Sequence, residues 1–447
     1  MNFKKTISVI LSLLTLISTL AISPNASAQA SNDTLVVDFD KTENLATVSS
    51  LNAYDKYLEN MMNNFGITGV SYVTQDGKVI AQHSSGMQNS KDNIPMSRDT
   101  LFPIGSISKQ FCATAIMMLQ QQGKLSVDDT LEKYFPEYEI GKDITIKNLL
   151  SMRSGIRDHV NPDEDYVGHE IPTNEYLLSE TATYKENIKT ITDWLFTQKL
   201  KFEPGTDHAY SNSNFLLLSI IVEDVSGIKY SQFIKENIFK PLNMTNSGFY
   251  EELYGSPDFA EDVLPDDVEL LPPYFHLSTG SGDLVSNAPD MDKWLTSISK
   301  RTLLTDESYD EMTTDYGSEY CYGIQAQKGS YFHQGDITTF ESFALTNPAK
   351  NLNIFVVTND VQKIDENNYN MSIYGFAIFE KLSSSKAKLG DVDSDGVVSI
   401  LDATAIQMHF AQIKTLSSKQ LRYGDTDGDG EVSVLDATEL QLHLAQQ

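Results

Sequence analysis

The sequence predicts an α+β protein: an antiparallel sheet flanked by helices with a helical lobe beside it, followed by a small all-α module. Three observations predict this. Residues Gly69–Gln75 and Lys78–His83 alternate in polarity on either side of Asp76-Gly77, a hairpin signal. Four further alternating stretches (Tyr320–Gln327, Tyr331–Gln334, Ser342–Thr346 and Asn353–Val357) are separated by turns holding Gly329, Asn347-Pro348 and Asn351, as in an antiparallel meander. Finally, Gly390–Ala411 and Gly424–Ala445 match at 14 of 22 positions, an internal duplication offset by 34 residues.

The first thirty residues carry Lys4 and Lys5, an apolar run from Ile7 to Ile22 and the small residues Ala26-Ser27-Ala28. This is the pattern of a secretory signal, so residues 1–28 are expected to be removed and the product exported. Residues 29–47 are a polar segment, and a helix is expected over Leu51–Asn64. Lys and Arg total 33 against 62 Asp and Glu, a formal charge of -29, which argues against nucleic acid or an anionic membrane as partner. A hydrophobic content of 40% is enough for a packed core. Cys112 and Cys321 are expected to be buried free thiols.

The run Phe102–Gln110 turns at Gly105 and enters a helix carrying Phe111, Ala115, Met118 and Leu119, which stops at Gly123. Ser106 falls at the first turn, with Lys109 one turn on along the same face. There a serine hydroxyl meets both the positive helix end and an amine able to take its proton; alone, Ser106 fits an N-cap equally well. Ser297/Lys300 repeats the spacing but closes a helical run, where an alkoxide is disfavoured. Leu149–Gly155 reads as a helix end capped by glycine. Asp158–Asn187 is polar and unassigned. Phe215–Val225 is helical, residues 250–275 are irregular, Asp283–Val285 is extended, and helices are expected through Trp294 and over Met371–Leu382. Residues 384–388 form a polar linker.

Each copy of the duplication opens with a twelve-residue acidic loop. The first places Asp391, Asp393, Asp395, Val397, Ser399 and Asp402 at positions 1, 3, 5, 7, 9 and 12, with Gly396 at position 6. The second places Asp425, Asp427, Asp429, Glu431, Ser433 and Asp436 likewise, with Gly430. Calcium takes about six to eight oxygen ligands, and this spacing supplies them around a glycine turn. Position 12 is Asp and no helix leads into Asp391, unlike an ordinary EF-hand. Residues 389–447 therefore resemble a dockerin, which implies two structural calcium ions and a cohesin module of a scaffolding protein as partner. The resemblance assigns partner contacts to Ile400, Leu401, Val434 and Leu435, although one member of each pair is expected to be core.

No Gly-x-Ser-x-Gly elbow and no His-Glu-x-x-His motif occurs. Phe102–Lys109, Leu149–Gly155, Tyr210-Ser211-Asn212 and His333-Gln334-Gly335 instead follow in an order that resembles the class C branch of serine β-lactamases and penicillin-binding proteins, over residues 48–383. The resemblance implies a β-lactamase/DD-peptidase-like fold and an acyl-enzyme mechanism without a catalytic cofactor. It implies attack by Ser106, proton transfer shared by Lys109 and Tyr210, and Asn212 holding both Lys109 and the substrate amide. It places an oxyanion hole at the backbone N–H groups of Ser106 and of Asp336, which follows Gly335. His333 and Gln334 depart from the usual Lys-Thr-Gly. A histidine there is expected to attract a substrate carboxylate weakly at neutral pH and better in acid, with Arg153 as another source of charge. The expected substrate is a small ester, amide or peptide, processed outside the cell on a cell-surface cellulosome. β-Lactamase or DD-carboxypeptidase activity proper, or an inactive recognition module, are the alternatives.

Overall fold

The computed structural model describes residues 53–161, 182–263, 276–361, 370–384, 390–393, 398–424, 426 and 432–445. The expected signal sequence, residues 1–28, and the polar segment 29–47 lie outside these residues. In chain order the elements that position the site are α1 (Ala53–Phe65), β1 (Gly69–Gln75), β2 (Lys78–Ser85), α2 (Ser108–Gln121), α3 (Ile146–Leu150), α4 (Tyr184–Leu195), α5 (Asn212–Ser226), β3 (Leu284–Ser286), α6 (Ala288–Lys300), β4 (Gln325–Gln327), β5 (Ser330–Ile337), β6 (Phe340–Asn347), β7 (Leu352–Thr358) and α7 (Met371–Ser384). The C-terminal module adds α8 (Ile400–Phe410), α9 (Ser418–Gly424) and α10 (Val434–Ala445).

Six strands form one sheet in the order β2-β1-β7-β6-β5-β4, antiparallel throughout. The hairpin around Asp76-Gly77 closes as expected, with both residues at positive φ (51° and 76°). β7 is buried along its whole length because both faces are covered. Phe355 and Val357 face the large core built on α2 and α5, while Leu352, Ile354 and Val356 face α1 and α7. That two-sided burial is why the strand reads as an almost continuous apolar run.

α2 is buried over most of its length, and Phe111 stacks on Trp294 of α6 with ring centroids 3.8 Å apart. Cys112 and Cys321 are both buried free thiols, as expected.

Several local expectations change. Helix α3 ends at Leu150, and the left-handed residue after it is Met152 (φ 57°); Gly155 comes later, pressed against the Phe202 carbonyl. Within Asp158–Asn187 a helix begins at Tyr184, started by a Thr183/Glu186 capping box whose Thr-x-x-Glu pattern stands in the sequence. Tyr250–Leu253, expected to be irregular, is helical, and residues 264–275 lie outside the described residues. The strand expected from Tyr320 begins only at Gln325, with Tyr320 making an isolated bridge to it.

In the C-terminal module, Val392, Ala403, Ile406, Leu416, Ala437 and Leu440 form a separate small core. Ile400, Leu401, Val434 and Leu435 are all exposed (55%, 61%, 43% and 64%), so none of them is core. The duplicated helices turn Ala403, Ala405, Ile406, Ala437 and Leu440 into that core and leave these four side chains outside. Among the described residues, no helix is long and apolar enough to cross a membrane.

Candidate active site

Ser106 lies in a 3₁₀ turn, Gly105–Ile107, that runs directly into α2. Gly105 has φ +50°, and a Cβ there would fall 2.7 Å from the backbone nitrogen of Asp336. From the other side, a Cβ on Gly335 would fall 2.0 Å from the Ile104 carbonyl oxygen. Two backbones thus touch with no room for a side chain between them, and glycine on each side is what permits it. Ser342 Oγ donates to the Ile104 carbonyl (3.0 Å) and ties the turn to β6. This seam brings the Ser106 turn against Gly335 and Asp336, the two segments expected to supply oxyanion donors.

Lys109 is wholly buried. Its Nζ donates to Ser106 Oγ (2.9 Å), Asn212 Oδ1 (2.7 Å) and the Ser281 carbonyl (2.8 Å). Burial pushes the amine down to about 7, opposed by the carboxylates of Asp158, Asp283 and Asp336. A lysine poised there is neutral in a large fraction of molecules at neutral pH. Its lone pair can then accept the Ser106 proton, reversing the sense of the 2.9 Å bond.

Asn212 is the first residue of α5, entered from the extended Ser211. Its oxygen accepts from Lys109, and its Nδ2 donates to Asp158 Oδ2 (2.8 Å). Asn212 thereby holds Lys109, as the resemblance implies, but one of its two amide hydrogens is already engaged by Asp158. Tyr210 lies with its ring 4.8 Å from Lys109 Nζ, and its hydroxyl is near enough to Ser106 for the serine to oppose the rise in its pKa. The residue as a whole is 37% exposed, yet desolvation, with Asp158 and Asp336 nearby, holds its pKa well above the usual value. Tyr210 therefore stays a neutral O–H. Of the two groups expected to share proton transfer, Lys109 alone is poised near neutral pH.

His333 is 4% exposed. Its Nδ1–H donates to the Gln334 carbonyl (2.5 Å), which leaves Nε2 to accept from the Tyr320 hydroxyl (3.2 Å). Burial first, and the Lys109 charge second, push its pKa down to about 3. It is neutral at mildly acid and neutral pH, so the expected gain in carboxylate attraction on mild acidification is corrected: the ring takes no proton until the pH approaches 3. Gln334 is bound to Glu341 (2.7 Å) and to Ser372, and so serves β6 and α7. Arg153 donates to the Gly205 carbonyl at an exposed position (2.6 Å).

Asp158, Ser281, Asp283 and Tyr320 complete this environment and were missed in the sequence. Asp158 stood in an unassigned polar stretch. Ser281 and Asp283 belong to the run Ser278-Thr279-Gly280-Ser281-Gly282-Asp283, whose small polar residues ahead of an extended segment were the available signal. Leu284 N donates to Ser108 Oγ (3.1 Å) and Ile104 N donates to the Leu284 carbonyl (3.0 Å), which clamps that turn to the Ser106 helix.

In the C-terminal module, carboxylate oxygens of Asp391, Asp393 and Asp402 lie within 4.8 Å of one another. Asp391 and Asp402 are fully buried, and three anions so placed repel unless a cation joins them. Asp402 also accepts from Asp393 N (3.0 Å) and Ser399 N (2.8 Å), and Asp436 accepts from Thr426 N and Ser433 N (2.6 Å each). This all-oxygen donor set fits a hard dication. The Ser399 and Ser433 hydroxyls accept from Leu401 N and Leu435 N (3.1 and 3.0 Å), so both serines cap helices. Asp395, Val397, Asp425, Asp427, Asp429 and Glu431 lie outside the described residues.

The β-lactamase family model matches residues 54–372, and the dockerin type I domain model matches residues 389–445. PbpX of Bacillus subtilis (strain 168), described as a candidate penicillin-binding protein, is 31% identical over 287 residues, 63% of this chain and 68% of that protein. Protein flp of Staphylococcus aureus (strain NCTC 8325 / PS 47) is 27% identical over 333 residues, 70% of this chain; the chain spans 64% of flp's length. Among solved structures, the octameric penicillin-binding protein homologue from Pyrococcus abyssi superposes with a TM-score of 0.60 at 26% identity, over 75% of this chain and 77% of that one. The D-amino acid amidase from Ochrobactrum anthropi SV3 shares the fold at 23% identity, with a TM-score of 0.55 over 69% of this chain and 91% of that one. The chain therefore belongs to the β-lactamase family, as a serine hydrolase of the penicillin-binding-protein type that carries a dockerin type I domain.

Proposed function

We propose that the chain hydrolyses a neutral ester or amide through an acyl-Ser106 intermediate. The observation that carries this is Lys109: buried, 2.9 Å from Ser106 Oγ, and held near neutrality by desolvation. Lys109 takes the Ser106 proton. Tyr210, as a hydroxyl beside Ser106, relays the proton from the Lys109 ammonium to the leaving group, gaining one proton as it gives one up, so Tyr210 and Lys109 both end neutral. Asn212 and Asp158 hold Lys109 in place. The backbone N–H groups of Ser106 and Asp336 bind the developing oxyanion across the glycine seam. A neutral substrate is favoured because His333, where the family carries a lysine, has no charge, and Asp336 adds a carboxylate at the rim. The amidase sharing the fold acts on D-amino acid amides by its name, which makes amides of that kind the first substrates to assay.

The tail delivers this enzyme. Calcium held by Asp391, Asp393 and Asp402, and by the matching acids of the second loop, orders the dockerin. The dockerin then docks on a cohesin of an extracellular scaffold through Ile400, Leu401, Val434 and Leu435. Export by residues 1–28 fits that destination. Hydrolase and dockerin, taken as residues 48–383 and 389–447, act as separate units on a short linker.

The first test is covalent labelling by a fluorophosphonate alongside turnover of p-nitrophenyl esters, D-amino acid amides and nitrocefin. Ser106→Ala is expected to lose label and turnover together with an unchanged thermal melt, while Ser297→Ala retains both. Turnover surviving in Ser106→Ala overturns the assignment.

A further inference from the structure

A cavity of about 150 Å³ borders the same turn, Gly280–Asp283, and none of Ser106, Lys109, Tyr210, Asn212 or His333 lines it. Its walls carry the carboxyl groups of Glu223, Glu251, Glu252 and Asp283 against one cation, Lys229. Glu252 is taken by Lys235 (2.6 Å). Asp283 is only 6% exposed. Its Oδ2 accepts from Gly280 N (3.0 Å), and its Oδ1 has no hydrogen-bond partner among the described residues. A buried carboxylate oxygen without a donor is costly, so a donor in the cavity would be held firmly.

His276, also 6% exposed, offers the complementary half. Its Nδ1 accepts from the Asn187 amide (3.2 Å), which places the ring proton on Nε2. That N–H reaches Glu251 Oε1 only at 3.7 Å, too far for a hydrogen bond. The remaining wall is aromatic, from Tyr184, Tyr230 and Phe249. A bare metal ion does not suit it: among the described residues, the one cluster of three carboxylate or imidazole ligand atoms within 4.8 Å is at Asp391, Asp393 and Asp402. Carboxylates together with aromatic rings suit an organic cation, whose charge faces the former and whose stem lies against the latter.

We propose that this cavity binds a small primary alkylammonium ion bearing a hydroxyl, with the ammonium on Asp283 and Glu223 and the hydroxyl oxygen accepting from His276 Nε2–H. Burial pushes the Asp283 carboxyl up to about 7, so an arriving cation also stabilises its ionised form. The volume equals that of about five waters, ample for four heavy atoms and residual solvent.

The test is titration calorimetry on the full-length protein near neutral pH. The probes are ethanolammonium chloride, ethylene glycol as the uncharged analogue of equal size, and sodium chloride at matched ionic strength. Ethanolammonium is expected to bind saturably with a Kd on the order of 1 mM, and the other two not at all. Asp283→Asn and Glu223→Gln should each weaken it about tenfold or more, with folding checked by thermal melts; should Asp283→Asn not fold, Glu223→Gln decides. No saturable heat would mean that the cavity holds only water. Equal binding of the glycol would mean that charge is not recognised, and undiminished binding in the folded variants would place the ligand elsewhere. Each of these outcomes overturns the proposal, and none depends on the activity of Ser106.

Discussion

Lys109 and His333 are both buried bases, and burial acts on them with different consequences. Lys109 begins at 10.5 and is pushed to about 7, into the range where it can exchange protons; His333 begins at 6.5 and is pushed to about 3, out of it. Between about pH 7 and 10.5 the unfolded chain holds a proton on this lysine that the folded chain has released, so the contribution of Lys109 to stability rises with pH across that window. The catalytic consequence has the same sign. kcat/KM for a neutral ester should climb about tenfold per pH unit below the Lys109 pKa and level off above it, with no further feature from Tyr210 until strongly alkaline pH. A profile that falls on going from pH 6 to 8 would remove Lys109 as the base. For His333, the wild-type ratio of kcat/KM for a carboxylate-bearing against a neutral substrate should stay flat over roughly pH 5.5 to 8, since no proton binds there. His333→Lys should raise that ratio about tenfold or more by supplying the missing charge-assisted bond. A wild-type ratio that rises in acid would contradict a neutral His333.

At the level of elements, the site depends on a seam where β5 and the Ser106 turn meet backbone to backbone. Gly105 and Gly335 face it from opposite sides, and the clash at Gly335 is with backbone, which cannot rotate away as a side chain could. Gly335→Ala must therefore push the strand away from Ile104 by more than an ångström. Its expected cost is about 1–3 kcal/mol of stability. The loss of kcat should be larger, about 100-fold or more, because an oxyanion donor is displaced. Gly329, in the turn before β5, has open space around its Cβ position and provides the comparison. Gly329→Ala should lower stability through its positive φ (76°) while leaving kcat within about twofold. Equal kcat losses in the two variants would argue that the seam has no special role.

At the level of the whole molecule, the two modules keep separate cores and separate chemistry. The C-terminal core consists of a few small and medium residues, too little to offset the repulsion of its buried carboxylates. Calcium at about a hundred times its Kd would contribute about 2.7 kcal/mol per site. A chelator is therefore expected to melt the tail and abolish cohesin binding while ester hydrolysis continues; calorimetry showing no calcium-dependent transition would refute this. The exposed pairs Ile400/Leu401 and Val434/Leu435 occupy matching places in the two copies. Aspartates at one pair should leave scaffold binding largely intact, and aspartates at both should eliminate it.

Patterns that depend on neighbours along the chain were legible in the sequence. The hairpin, the helix opening at Ser106, the meander and the duplicated acidic loops each rest on periodicity or on fixed spacing, which local backbone geometry converts directly into structure. The serine, lysine, tyrosine and asparagine proposed for catalysis were legible for the same reason, each within a short motif. What only the tertiary structure decided is how those motifs act on one another. Asp158 holds Asn212 across 54 residues, the Ser281 carbonyl meets Lys109 across 172, and the Tyr320 hydroxyl reaches His333 from outside the strand pairing. The protonation states follow from burial, a property of the packed molecule that residue spacing does not encode. For that reason Tyr210 and Lys109, alike as candidate proton-transfer groups on paper, separate into a neutral hydroxyl and an amine poised near neutral pH once desolvation acts on each. It is also why four apolar residues that read half as core all stand exposed: the duplicated helices close on Ala403, Ile406, Ala437 and Leu440 and leave these four side chains outside.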